Sequence, residues 1–132
     1  MIQKHILVVD DEENTLRSME FILEAANYQV SLAKNGFEAL DIITGEFDRG
    51  QPIDLVITDI QMPLFTGLKL IEKLQEFSYD IHTLILTGYG NKQLYVQLIE
   101  NGYNEILEKP IEEDELLRRV KKLINNGNQP GR

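Results

Sequence analysis

The chain has 132 residues, enough for one domain with a real hydrophobic core, and its 42% hydrophobic content is ordinary for a globular protein. It has no cysteine, which excludes a disulfide framework and a thiolate metal site; its net charge of −9 disfavours binding a phosphate backbone through the domain's field and suits cations or a basic partner. The first residues lead straight into a short apolar run and then acids. This is not a signal peptide, and no apolar run is long enough to span a bilayer, so the expected location is cytoplasmic, with no membrane partner.

His5-Ile-Leu-Val-Val9 reads as a strand that is apolar throughout, followed at once by Asp10-Asp11-Glu12-Glu13. From Thr15 the pattern turns helical, with Leu16, Met19, Ile22 and Leu23 on one face and Asn27 as the stop. Residues 28–33 alternate and predict a second strand at a sheet edge. Asn35-Gly36 is a turn. Phe37, Ala39, Leu40 and Ile43 line a second helix, and 44–52 reads as a loop. Leu55 to Thr58 predicts a strand buried on both faces, closed by Asp59. Met62-Pro63 breaks the chain out of that strand. Gly67 permits the turn into a third helix that runs to about Phe77 with Leu68, Ile71 and Leu74 inward. His82–Thr87 is a fourth strand, Gly88-Tyr-Gly90 a flexible loop, and 93–99 a fourth helix ended by Asn101-Gly102. Residues 105–108 form a short fifth strand and Lys109-Pro110 a turn. A last helix over 112–124 has acids in its first turn and Arg118, Arg119, Lys121 and Lys122 near its end, as the helix dipole favours. Residues 1–124 thus make one domain, and the polar Gly/Pro segment 125–132 a flexible tail or the start of a linker.

Five strands alternate with five helices, without an internal repeat. The pattern predicts an α/β fold: a flavodoxin-like, doubly wound (βα)5 parallel sheet in the order 2-1-3-4-5. In that order the first and third strands are neighbours, and ligands bind beyond the strand carboxyl ends. Those ends carry Asp10 and Asp11, Asp59, Thr87 and Lys109. Each has an ordinary alternative role: the acids as a helix cap, Thr87 as a cap before the fourth helix, Lys109 as a solvated turn residue. Their convergence on one crevice is worth more than any member alone.

Three carboxylates in one crevice repel one another unless a cation binds. Oxygen donors without His or Cys suit magnesium. A carboxylate surrounded by a cation, an ammonium and a hydroxyl describes a place for an incoming phosphoryl group, with Asp59 as the nucleophile and Lys109 and Thr87 stabilising charge on the phosphoryl oxygens.

Val8-Val9-Asp10-Asp11, Asp59-x-x-Met62-Pro63-x-x-x-Gly67, Leu86-Thr87-Gly88 and Lys109-Pro110 resemble the receiver domains of two-component response regulators, in order and spacing, from about Lys4 to Ile124. The resemblance implies that Asp59 is the phosphoacceptor for a histidine kinase or phosphotransfer protein. It implies that Asp11 ligates magnesium directly, that Asp10 assists, and that the Gln61 backbone carbonyl is a further ligand. Lys109 would contact the phosphoryl group through a loop with a cis Lys109-Pro110 bond, and Thr87 would be the switch hydroxyl. The implied output surface is helix 4, strand 5 and helix 5, where Tyr95 is a candidate anchor. A phosphorylation-dependent dimer and a downstream effector domain or protein belong to the same expectation. The chain departs from the commoner pattern at Ile106, where the family often has Tyr or Phe; Tyr103 nearby reads as a half-buried surface aromatic. Gln61 and Tyr89 stand two residues beyond Asp59 and Thr87, where the family sets its dephosphorylation rate, and bulky Tyr89 is expected to hinder attacking water.

Three other readings share parts of this pattern. A flavodoxin-like cofactor binder needs a Ser/Thr/Gly-rich loop after the first strand, where this chain has four acids. A phosphatase of the haloacid dehalogenase type needs a second Asp two residues after the nucleophile, where this chain has Gln61. A phosphorylation-independent interaction module of the same fold would lack the acids, the Thr or the Lys, and all are present.

Overall fold

A computed structural model describes residues 3–62, 66–76, 81–88, 90–103 and 105–125. The elements follow the alternation read from the sequence: β1 (His5–Val9), α1 (Glu13–Ala25), β2 (Gln29–Ala33), α2 (Gly36–Asp48), β3 (Leu55–Asp59), α3 (Gly67–Glu76), β4 (His82–Thr87), α4 (Lys92–Glu100), β5 (Ile106–Glu108) and α5 (Glu113–Asn125). The sheet is parallel in the order β2-β1-β3-β4-β5. Every residue of β1 and β3 is buried, as expected of strands covered by helices on both faces. One face carries α1 and α5, whose Leu16, Met19, Leu23, Leu116 and Val120 pack on Ile6, Val8, Leu55 and Ile57. The alternate strand residues Leu7, Val9 and Val56 pack with Ala39 and Ile43 of α2 and Leu70 and Leu74 of α3. A third cluster, Ile60, Ile71, Ile85, Leu98 and Ile106, seats α4 and takes half-buried Tyr103 at its margin.

Among the described residues, three helices end in the same hydrogen-bonded motif, in which the chain turns at a residue of positive φ. Asn27 (φ 72) donates its N–H to Glu24 and Tyr28 donates to Leu23; Gly50 (φ 75) and Gln51 donate to Phe47 and Glu46; Gly102 (φ 90) and Tyr103 donate to Ile99 and Leu98. Asn27 and Gly102 are stops visible in the sequence. Gly50 is not, and here the structure differs from expectation: α2 runs through Thr44-Gly45 to Asp48 instead of giving way to a loop at 44. A single Gly costs a helix about 1 kcal/mol, too little to end one that is anchored by Ile43 and closed by the Gly50 motif. Phe37 also differs. It was expected on the packed face, but the line against the sheet is Gly36, Ala39 and Ile43, small residues that let α2 sit close, and Phe37 is 59% exposed. On α3 the fully buried residue is Leu70, with Leu68 only half-buried, and the expected end at Phe77 lies outside the described residues.

At the amino end of the sheet, His5 is buried, with Nε2 2.7 Å from Ser31 Oγ; its backbone N–H donates to Asp54 Oδ2 at 2.8 Å. Burial lowers the His5 pKa from its ordinary 6.5, against the pull of Glu46, itself ion-paired with Arg49, and of Asp54. The fold therefore prefers neutral His5. Its contribution is complete above 6.5 and is lost as pH falls from there toward the lower folded value. Urea unfolding at pH 7.5 and 5.5 is expected to show a smaller loss of stability for His5→Gln than for the wild type, and equal losses would contradict this account.

Candidate functional site

The register of the sheet builds the site. β1 ends at Val9, opposite Thr58, so Asp10 and Asp59 leave neighbouring strands at the same level. The Asp10 N–H donates to Ala33 O (3.1 Å) and the Ile60 N–H to Leu86 O (3.0 Å), which carries the ladder one step past the strands and fixes both acids on rigid backbone. β4 pairs with β5 up to Thr87 beside Glu108, and the next donor, the Lys109 N–H, bonds Thr87 O at 2.9 Å. The cis Lys109-Pro110 bond follows, as the resemblance implied.

The side chains converge. Carboxylate oxygens of Asp10, Asp11 and Asp59 lie within 4.8 Å of one another. Lys109 Nζ donates to Asp10 Oδ2 at 2.9 Å and to Asp59 Oδ2 at 2.8 Å. The remaining oxygens are also engaged: Asp10 Oδ1 accepts the Glu12 N–H and Asp59 Oδ1 the Gln61 N–H, each at 2.9 Å. Asp10 is fully buried and Asp59 7% exposed, while Asp11 is exposed. Burial pushes the Asp10 pKa up, against the lowering effect of the Glu12 N–H and Lys109. Burial alone would lower the pKa of Lys109, but its bonds and charge attraction to Asp59 and Asp10 outweigh this and raise it. The ammonium is thus held protonated between two acids. The crowding argued from the sequence is thereby partly compensated, since one cation serves two of the three carboxylates.

The N-cap of α1 is Glu12 and that of α4 is Asn91, so neither Asp11 nor Thr87 is the cap, while Asp10 does take the Glu12 N–H at the entry to α1 as well as the Lys109 ammonium. Thr87 is 1% exposed at the crevice end of β4. Gln61 is exposed, with Oε1 3.7 Å from where a Cβ on Gly88 would lie, so its side chain overhangs the same crevice. Tyr89 and Pro63 lie outside the described residues.

Two features escaped the sequence. Gly67 was read as a turn former, but a Cβ on it would stand 2.1 Å from Asp59 O. No local pattern carries that approach, because it depends on how α3 returns to the end of β3. The other is Glu108, whose Oε2 accepts the Gly90 N–H at 3.0 Å and ties the loop after β4 to β5. In the sequence it is one more acid in a short strand.

The structure is thus a parallel α/β domain with a Lys-bridged acid cluster at the carboxyl ends of its central strands. The chain belongs to the response regulator receiver domain family, whose model matches residues 6–121. It is 30% identical to the transcriptional regulatory protein FixJ of Bradyrhizobium diazoefficiens over 91% of this chain and 56% of that protein. It is 31% identical to sporulation initiation phosphotransferase F of Bacillus subtilis over 94% of this chain and 96% of that one. The chain therefore spans about half of the one relative and nearly all of the other. Among solved structures, a CheY-like receiver domain protein from Methanospirillum hungatei superimposes with a TM-score of 0.82 at 28% identity, over 98% of this chain and all of that one. The protein is a receiver domain of the two-component response regulator kind. Among the described residues no helix is long and apolar enough to cross a membrane.

Proposed function

We propose that this receiver domain takes a phosphoryl group on Asp59 from a histidine kinase or phosphotransfer protein. The observation that carries the reading is the Lys109 ammonium bridging Asp10 and Asp59, beside a third carboxylate. The cluster offers only oxygen donors around a nearly buried nucleophile, which fits a hard divalent cation. Asp10, Asp11, Asp59 and the Gln61 carbonyl would hold magnesium, which when bound offsets charge on the phosphoryl oxygens. Asp59 supplies the attacking carboxylate oxygen; an acyl phosphate forms as the donor group leaves. Lys109 follows the new charge from the carboxylate to the phosphoryl oxygens, and buried Thr87 offers a hydroxyl at the same rim. In this reading the domain assists its own phosphorylation and dephosphorylation and no other reaction.

The output follows from what the added charge pulls on. Phosphorylation adds roughly −1.5 to −2 charges. Thr87 and Lys109 respond, and they stand at the loop into α4 and the connection to α5. The α4, β5 and α5 surface is therefore the proposed route to an effector domain or protein. A groove of about 430 Å³ lies there, lined by Tyr95, Ile106, Leu107 and Arg119 among others. Ile106 is 4% exposed and packed among Ile60, Ile85 and Leu98, so an outward swing of an aromatic at this position is no part of the switch. In this reading residues 1–124 belong to the domain; α5 runs one residue further than expected, to Asn125, and the segment expected as a tail or linker lies outside the described residues.

Incubation with magnesium and acetyl phosphate, followed by intact mass, tests the reading. The wild type is expected to gain one phosphoryl group and Asp59→Asn none. No gain from acetyl phosphate or from a phosphorylated histidine phosphotransfer donor, or equal gain by both proteins, would refute it.

A further inference from the structure

We infer that Glu108 is a positioning residue: its bond to Gly90 latches the loop after β4 against β5 and opposes phosphorylation of Asp59. The inference rests on the reading of Asp59 as phosphoacceptor and adds what restrains it. β4 and β5 pair up to Thr87 opposite Glu108, and the Lys109 N–H then bonds Thr87 O at 2.9 Å. The chain is therefore fixed as far as Thr87. Beyond it, Glu108 Oε2 accepts the Gly90 N–H at 3.0 Å. The bonds from the Asn91 N–H to Gly88 O (3.4 Å) and from the Lys92 N–H to Gly90 O (2.9 Å) stay within the loop and α4, as does the Asn91 cap on the Leu94 N–H. Glu108 thus joins the loop to the sheet. Gly90 has φ 81 and no atom within 4 Å of an added Cβ, so glycine serves there to turn the backbone rather than to make room.

The strand order sets the direction of the pull. β4 lies between β3, which ends in Asp59, and β5, which carries Glu108. Gly88 stands on the β3 side, where a Cβ on it would lie 3.7 Å from Gln61 Oε1. Anions on opposite sides of one strand end therefore compete for one loop. A phosphoryl group on Asp59 adds strong acceptor oxygens and draws the Thr87 hydroxyl and the following N–H groups toward β3. The Glu108 carboxylate holds the Gly90 N–H toward β5, and a hydrogen bond to a charged acceptor is stronger than a neutral one. The latch also opens onto the surface proposed for output. Glu108 is exposed and lines the same groove as Lys92, Tyr95 and Arg119. With Ile106 buried, movement of the loop toward Asp59 releases a carboxylate at that surface instead of swinging an aromatic.

The probe is beryllofluoride with magnesium, which sets a phosphoryl-like group on the acceptor carboxylate. It is titrated into the full 15N-labelled chain and into Glu108→Ala, Glu108→Gln and Asp59→Asn. Glu108→Ala has no acceptor and is expected to bind the probe about 3- to 10-fold more tightly than wild type. Glu108→Gln loses the same charge but keeps an acceptor oxygen, so its gain should be clearly smaller. Without the probe, amides of Gly88 and of α4 in Glu108→Ala should already lie part of the way from the free to the bound wild-type positions. A residue that only stiffened the fold would lower the urea midpoint and leave the affinity and those positions alone. In the wild type itself the Gly90 amide should exchange with solvent faster once the probe is bound, a measurement that needs no variant. Affinity of Glu108→Ala at or below that of wild type, equal gains in the Ala and Gln variants, or unchanged exchange at Gly90 would overturn the latch and leave the role of Asp59 intact. No binding by wild type, or equal binding by Asp59→Asn, would instead remove the phosphoacceptor reading, and the latch with it.

Discussion

Gly67→Ala is expected to lower stability by about 3 kcal/mol, the upper end of the range for overpacking, and to slow phosphoryl gain at Asp59. The added Cβ would stand 2.1 Å from Asp59 O and 2.9 Å from both Asp59 C and Ile60 Cα. These are backbone atoms, and they have nowhere to go. Asp59 is paired opposite Leu86, and the Ile60 N–H is bonded to Leu86 O. Relief from the other side means lifting the first turn of α3, which breaks the bond from the Gly67 N–H to Ile60 O and unseats Leu70 and Ile71. Any compromise displaces the carboxylate that must meet phosphorus, and orientation errors of that kind are costly in rate. Gly45→Ala is the matched comparison. It lies inside α2 with no atom within 4 Å of an added Cβ, so it should stabilise by about 0.5–1 kcal/mol. Urea unfolding reads both. A Gly67→Ala midpoint indistinguishable from wild type would mean that the approach of α3 to β3 imposes no constraint.

The same contact shows where the sequence stops being informative. Strands β1 and β4 were legible to the residue because their apolar runs are bounded by polar residues at both ends. The convergence of Asp10, Asp11, Asp59 and Lys109 was legible because each sits at or just past a strand terminus, and the strand order brings those termini together. What was not legible depends on distance between elements. The reason for Gly67 is the return path of α3, the hold of Glu108 on Gly90 crosses two loops, and the outward face of Phe37 follows from how closely α2 approaches the sheet. Periodicity names a helix and two candidate faces. Choosing the buried one requires the small residues, Gly36 and Ala39, to be weighed above the aromatic.

Lys109→Met should make the fold depend on magnesium. In the wild type the ammonium reaches both Asp10 and Asp59, and its raised pKa keeps it charged at neutral pH. A group with a raised folded pKa contributes fully below its ordinary value of 10.5, so this contribution is constant across pH 6 to 9 and the test needs no fine control of pH. Methionine keeps much of the volume and removes the charge. Asp10, fully buried, and Asp59 then face each other with only backbone N–H groups among the described partners. Removing one member of a buried ionic set costs about 3 kcal/mol. In EDTA the variant should therefore melt well below wild type. Magnesium at ten times its dissociation constant returns about 1.4 kcal/mol by linkage. At any fixed magnesium concentration the variant should gain more than wild type, because no ammonium competes for the same oxygens. Asp10→Asn added to Lys109→Met should recover much of the loss, because the buried charge that needed a partner is gone. Equal melting of wild type and Lys109→Met in EDTA, or the same magnesium response in both, would show that the acids do not rely on Lys109, and the bridged cluster would lose its place as the organising feature of the site.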